Sequence, residues 1–206
     1  MRPIVLASAS PRRREILDMM GIPHEVLPAN IDENAITADH PRTLALRLAF
    51  AKARAIASRL EEEQWVLAAD TVVARNMVLY GKPESAADAH RMLSQLAGET
   101  HEVITGVALA QAGRPNTFLR AASTRVSFHP MQAQEIADYI ATGEPMDKAG
   151  AYGIQGLGGR FVAGISGDYY NVMGLPCREV AELLEEAGLE CQCRIPPPPE
   201  RFASSR

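Results

Sequence analysis

The chain is short of net positive charge, of cysteine and of long apolar runs, and each shortage argues against a class of function. Its 206 residues carry 21 Lys and Arg against 25 Asp and Glu, a formal net charge of -4. That balance speaks against a general nucleic-acid coat or a polybasic membrane anchor, and leaves room for one local basic site. No stretch interleaves aromatic with basic residues as a nucleic-acid surface would. No apolar run reaches the roughly 18–20 residues that span a bilayer. The N-terminal "MRPIVLASAS" has an apolar run too short for a secretory signal before "SPRRRE" interrupts it. A cytoplasmic location without membrane contact is the expectation. Cys177 stands alone, and Cys191 and Cys193 sit near the end. This odd, sparse set is no disulfide framework, and the C-x-C pair has no further ligands nearby, so incidental tail thiols are the better reading. The five histidines (24, 40, 90, 101, 129) show no zinc spacing. A G-x-S-x-G elbow, a Walker A loop, a G-x-G-x-x-G turn and internal repeats are all missing.

What is present is an α/β pattern. "PIVLA" (3–7) reads as a buried strand. "PRRREILDMM" (11–20) reads as a helix with Ser10 as N-cap, Pro11 at its first position and Gly21 closing it. "HEVLPA" (24–29) suggests another strand, followed by a polar loop. From Thr43 to Leu60 the pattern is helical, with Leu44, Leu48 and Ile56 on one face and Lys52 between them. A lysine on an apolar stripe either snorkels outward or points into a polar pocket. "WVLAADTVVA" (65–74) has the β-branched, continuous apolar character of a buried strand, and "VLY" that of a short one. A helix is expected from Glu84 to Leu96, a long hairpin from 101–111 and 116–128 around "AGRP", and helices at 131–142 and 178–187. Residues 145–176 are rich in glycine and read as loop. The tail "CQCRIPPPPERFASSR" reads as extended or disordered. Helix–strand alternation early and antiparallel-looking strands later predict a mixed sheet.

Charge placement points to a site. Asp70 lies inside an apolar strand, where an ionised carboxylate is costly unless paired or metal-bound. That position suits a metal ligand or general base at the C-terminal end of a strand, with Thr71 beside it to place a ligand. Arg12, Arg13, Lys52 and Lys82 come from separate segments. If they converge on Asp70, several cations and a helix N-terminus surround one carboxylate, as a polyphosphate with a divalent metal would require. Three adjacent arginines at the start of a helix fan out by ~100° each, so Arg12, Arg13 and Arg14 need not share one task, and Arg14 reads as a solvated helix residue. Glu33 reads by itself as a solvated loop acid, and Asp147 and Lys148 as a surface pair. Gln155, flanked by glycines that allow close approach, offers a donor and an acceptor to a base edge.

"LASASPRRREIL", "AADTVV", "GKP", "TGVAL", "DKAGAYGIQGLGG" and "GDYYNVMGLP", in this order, resemble the Maf family of nucleoside triphosphate pyrophosphatases over about residues 3–188. The resemblance implies one α/β domain over 1–188, inosine-triphosphate-pyrophosphatase-like, with a mixed twisted central sheet in two lobes and a cleft between them. Residues 189–206 would be the tail. It implies hydrolysis of a nucleoside triphosphate to the monophosphate and pyrophosphate with Mg or Mn, in a housecleaning role linked to cell-division arrest, and a homodimer. The matching positions are Ser8, Ser10, Arg12, Arg13, Glu33, Lys52, Asp70, Thr71, Lys82 and Gln155. Asp70 corresponds to the proton acceptor, assisted by Lys52, Lys82 and Arg13, with Asp70 and Glu33 as metal ligands. Arg12, Thr71 and Gln155 correspond to positions associated with substrate choice. "AGAYGIQG" resembles the branch acting on dTTP and UTP, with modified pyrimidine triphosphates also open. The alternatives are the 7-methyl-GTP branch, which usually carries Glu where Gln155 stands, and a nucleotide-sensing septum regulator with little turnover.

Overall fold

The computed structural model describes residues 2–189. Strands β1 (Ile4–Leu6), β2 (His24–Val26), β3 (Trp65–Arg75), β4 (Val78–Tyr80), β5 (Thr100–Gln111), β6 (Thr117–Phe128) and β7 (Val162–Ser166) form one seven-stranded sheet. Its order is β2-β1-β3-β5-β6-β7, with β4 beside β3. β1 runs parallel to β2 and β3, and the remaining pairings are antiparallel, so the sheet is mixed as expected. The helices are α1 (Pro11–Met19), α2 (Pro41–Ala57), α3 (Ala86–Leu96), α4 (Ala133–Ala141), α5 (Tyr169–Met173) and α6 (Cys177–Glu186).

The two-residue period of β3 divides the core. Val66 and Ala68 face α2 and pack with Ala49, Ala53 and Ile56. Leu67 and Ala69 face the other way, onto Ile16 and Leu17 of α1 and Val180, Leu183 and Leu184 of α6. Further along that second face, Val73 joins Met92 and Leu93 of α3 and Ile136 and Tyr139 of α4.

One stretch departs from expectation. Residues 145–176, read as loop, contain β7 and α5. Among the described residues β7 pairs only with β6, and four of its five residues are exposed, so it carries no buried–exposed alternation to read. α5 is five residues long, started by Asp168, whose carboxylate accepts from Tyr170 N–H at 2.8 Å, and stopped by Gly174 at φ +110°. The tail, with Cys191 and Cys193, lies outside the described residues. Among the described residues no helix is long and apolar enough to cross a membrane.

Candidate active site

The site forms where the edge of β3 is bare. β1 pairs with β3 only at Val66 and Leu67, and β4 takes up the same edge from Val73. Between them no strand of the described residues covers β3, and Asp70 and Thr71 lie in this gap. Asp70 is therefore mid-strand rather than at the strand's C-terminal end. Being consecutive, the two side chains leave the sheet on opposite faces.

On the α2 face, Asp70 is 8% exposed and bonded through Oδ1 to Lys52 Nζ at 2.5 Å. Lys52 therefore points into a polar pocket instead of snorkelling. Its ammonium also meets Glu33 Oε1 at 2.9 Å, so one cation joins two carboxylates. Glu33 opens a short 3₁₀ turn, Glu33–Ala35, whose start is capped by Asp32 Oδ1 accepting from Asn34 N–H. It is a partner of the buried pair and not merely a solvated acid. The close approach of α2 depends on Gly106, which faces Asp70 across the β3–β5 ladder. A Cβ on Gly106 would lie 2.5 Å from the carbonyl carbon and oxygen of Ala45. Lys52 follows Ala45 by about two helical turns.

On the other face the first loop is organised around Arg13. Its Nε donates to Gly174 O at 2.8 Å, Nη1 to Ser8 Oγ at 3.1 Å and Nη2 to Thr71 Oγ1 at 3.2 Å. Three of the five guanidinium N–H groups are thus committed to the protein. The hydroxyls continue in one direction. Thr105 donates to Asn171 O at 3.1 Å, which leaves its oxygen to accept from Thr71 at 2.8 Å, while Thr71 accepts from Arg13. Asn171 is itself pinned by Nδ2 to Val103 O and Thr124 Oγ1. Burial lowers the Arg13 pKa, Asp70 opposes that shift, Arg12 adds to it and Glu33 opposes it. These four charges share one field.

Ser8 Oγ also accepts from Ser10 N–H at 3.2 Å. Ser10 occupies the N-cap position of α1 with extended backbone angles, yet its hydroxyl makes no capping bond. That corrects the capping expectation in part. Ser8 takes the Ser10 amide, and the first turn of α1 holds no carboxylate, so no acid of the first turn offsets the partial positive charge of the helix N-terminus. Arg14 is exposed, as expected.

Arg12 is half-buried, and its field reaches Asp147, whose carboxyl is held below the usual range chiefly by the hydrogen bond from Lys148. Asp147 and Lys148 do pair, at 2.6 Å. Lys82 and Gln155 are exposed and make no hydrogen bond or ion pair among the described residues. The Lys82 turn is tied down next door, where Gly81 O accepts from Gly150 N–H at 3.1 Å. The structure thus bonds Ser8, Arg13 and Thr71 into one group and Glu33, Lys52 and Asp70 into another on the opposite face of β3, and leaves the side chains of Ser10, Arg12, Lys82 and Gln155 without a hydrogen bond or ion pair among the described residues. Thr105, Asn171, Gly106 and Gly174 are supports that sequence reasoning missed. They lie in "TGVAL" and "GDYYNVMGLP", segments that mark the resemblance without saying what each residue does.

Fold and site together define an α/β protein with cations and a buried carboxylate around an open strand edge. The pattern described as Maf-like protein matches residues 3–187, and the chain belongs to the Maf family. A dTTP/UTP pyrophosphatase of Anaeromyxobacter sp. (strain Fw109-5) is 52% identical over 188 residues, covering 90% of this chain and 89% of that protein. One from Moorella thermoacetica is 49% identical over 195 residues, covering 95% of this chain and 100% of that protein. Among solved structures, a HAM1 protein from Coxiella burnetii aligns with 62% of this chain and 73% of its own, at 17% identity and a TM-score of 0.45.

Proposed function

We propose that this protein hydrolyses dTTP and UTP to the monophosphate and pyrophosphate. The observation that carries the reading is the Lys52–Asp70 pair at the open edge of β3, with Arg13 braced on the opposite face. The names of the relatives point the same way. Hydrolysis adds water at the α-phosphorus, breaks its bond to the bridging oxygen and releases pyrophosphate. Asp70 takes the proton of the attacking water, and Lys52, bonded to its Oδ1, keeps the carboxylate aimed. Arg13, Lys52 and Lys82 balance the charge growing on the α-phosphate and the leaving group. The free Ser10 hydroxyl and the N-terminal amides of α1 receive phosphate oxygens. Gln155 meets the base edge, and Arg12 and Thr71 border the nucleotide.

A divalent cation fits this site. Asp70 and Glu33 already share one cation, the Lys52 ammonium, and two carboxylates plus substrate phosphates are the usual setting for Mg²⁺. Among the described residues no cluster of three His, Cys, Asp or Glu forms a preassembled metal cage. Asp70 and Glu33 would hold Mg²⁺ or Mn²⁺ brought with the nucleotide. When bound, it would polarise the phosphoryl oxygens. Pyrophosphate release from a panel of purified nucleotides, with and without metal, tests the reading. Asp70→Asn should lower kcat by ~10²–10⁴. Full turnover by Asp70→Asn under saturating metal would remove the base from the mechanism.

A further inference from the structure

The loop that presents Gln155 has little to hold it by itself. Residues 153–159 include Gly153, Gly156, Gly158 and Gly159, and Gln155 makes no hydrogen bond or ion pair of its own among the described residues. The restraint comes from outside. Glu144 stands at the start of the 3₁₀ turn Glu144–Asp147. Its Oε2 accepts from Leu157 N–H at 2.8 Å, and its Oε1 from Gly158 N–H at 3.1 Å and Tyr139 Oη at 2.9 Å. The same Tyr139 oxygen accepts from Gly153 N–H at 3.1 Å. One carboxylate and one phenol therefore fasten both ends of the segment that has Gln155 in its middle.

The glycines are shaped to this clasp. A Cβ on Gly156 would run into the Glu144 carboxylate, and one on Gly158 would come within 2.5 Å of Tyr139 Oη. The Glu144 backbone is fixed in turn, since its carbonyl accepts from Lys148 Nζ at 2.6 Å. Burial would raise the Glu144 pKa, but the amides of Gly158 and Leu157 and the Tyr139 hydroxyl outweigh it, and the group stays ionised at neutral pH. The Tyr139 phenol is pushed up, above all by burial, and remains a donor.

We infer that Glu144, through Tyr139 and the amides of Leu157 and Gly158, is a positioning residue that holds Gln155 in the pose from which it selects the nucleobase. The inference rests on the assignment of Gln155 to the base edge. A Gln side chain at 144 would turn an NH₂ toward an N–H or O–H that now donates, so charge and pairing are both required. A loop released by about 1 Å forfeits the orientation on which discrimination depends.

The experiment compares kcat and KM for UTP, dTTP and GTP in the wild type, Glu144→Gln, Tyr139→Phe, Gln155→Ala and the double variant Glu144→Gln/Gln155→Ala. Glu144→Gln should raise KM for UTP on the order of tenfold, with kcat within about threefold. Its UTP-to-GTP ratio of kcat/KM should fall to that of Gln155→Ala, and the double variant should fall no further. Amide exchange at Leu157 and Gly158 should quicken in Glu144→Gln. Tyr139→Phe, which loses a single oxygen, should move the ratio the same way and serves if Glu144→Gln does not fold. Wild-type ranking in both clasp variants, beside a flattened ranking in Gln155→Ala, overturns the clasp alone. Wild-type ranking in Gln155→Ala overturns the assignment of the base edge, and the clasp's route to specificity falls with it.

Discussion

Asp70 and His101 are both buried, and they escape the cost of burial differently. Asp70 is paired with Lys52, an ammonium that Glu33 also holds. His101 gives its charge up. It is 1% exposed, with Nε2 at 2.9 Å from Tyr152 Oη and its ring in T-shaped contact with Phe128 and Tyr152, and Nδ1 has no partner among the described residues. Burial first, and the charge of Arg75 second, bring its pKa down to about 4. Because the folded value lies below the unfolded one, near 6.5, the unfolded chain binds the extra proton between these limits. The stability is fully present above about pH 6.5 and is lost as pH falls toward 4, up to about 3 kcal/mol. Urea unfolding at pH 7.5 and 4.5 should show this, and His101→Gln should flatten the difference. An equal pH dependence in the variant would contradict the assignment.

Between elements, the decisive contact is that of α2 with the sheet. Ala49 and Ala53 pack with Ala68 and Ala108, and Ala45 backs onto Gly106, so small residues set the approach of the helix to the strands at these positions. Gly106→Ala should push α2 away, destabilising the protein by about 1–3 kcal/mol as overpacking does. It should also lower kcat, because Lys52 rides on the same helix. Gly164→Ala, with nothing within 4 Å of the new Cβ, is the control. Thermal melts and turnover of the two variants check this, and equal melting temperatures would show that α2 yields freely. Most elements were legible from periodicity, including the hairpin β5–β6, whose observed ends fall within a residue of those expected. β7 and α5 were not, because an exposed edge strand and a five-residue helix lack the repeats on which such readings rest.

At the scale of the whole molecule, Arg13 ties the first loop to Gly174, 161 residues away, and to Thr71 in the central strand. Arg13→Lys keeps the charge and loses the fork, so one ammonium cannot replace all three bonds. It should lower stability by about 1–3 kcal/mol in chemical denaturation and reduce kcat. A variant with wild-type stability would show that the closure is held elsewhere. Taken by itself, the sequence determined the mixed α/β class, the pairing need of Asp70 and the family. Each follows from local pattern, from the cost of burying a charge or from ordered motifs. Tertiary structure alone decided that Lys52 answers Asp70, that Glu33 joins them, that Arg13 is braced by Gly174, and that Glu144 clasps the Gln155 loop. Those contacts join different elements of the fold, and local sequence patterns do not report which groups of separate elements a fold brings within hydrogen-bonding distance.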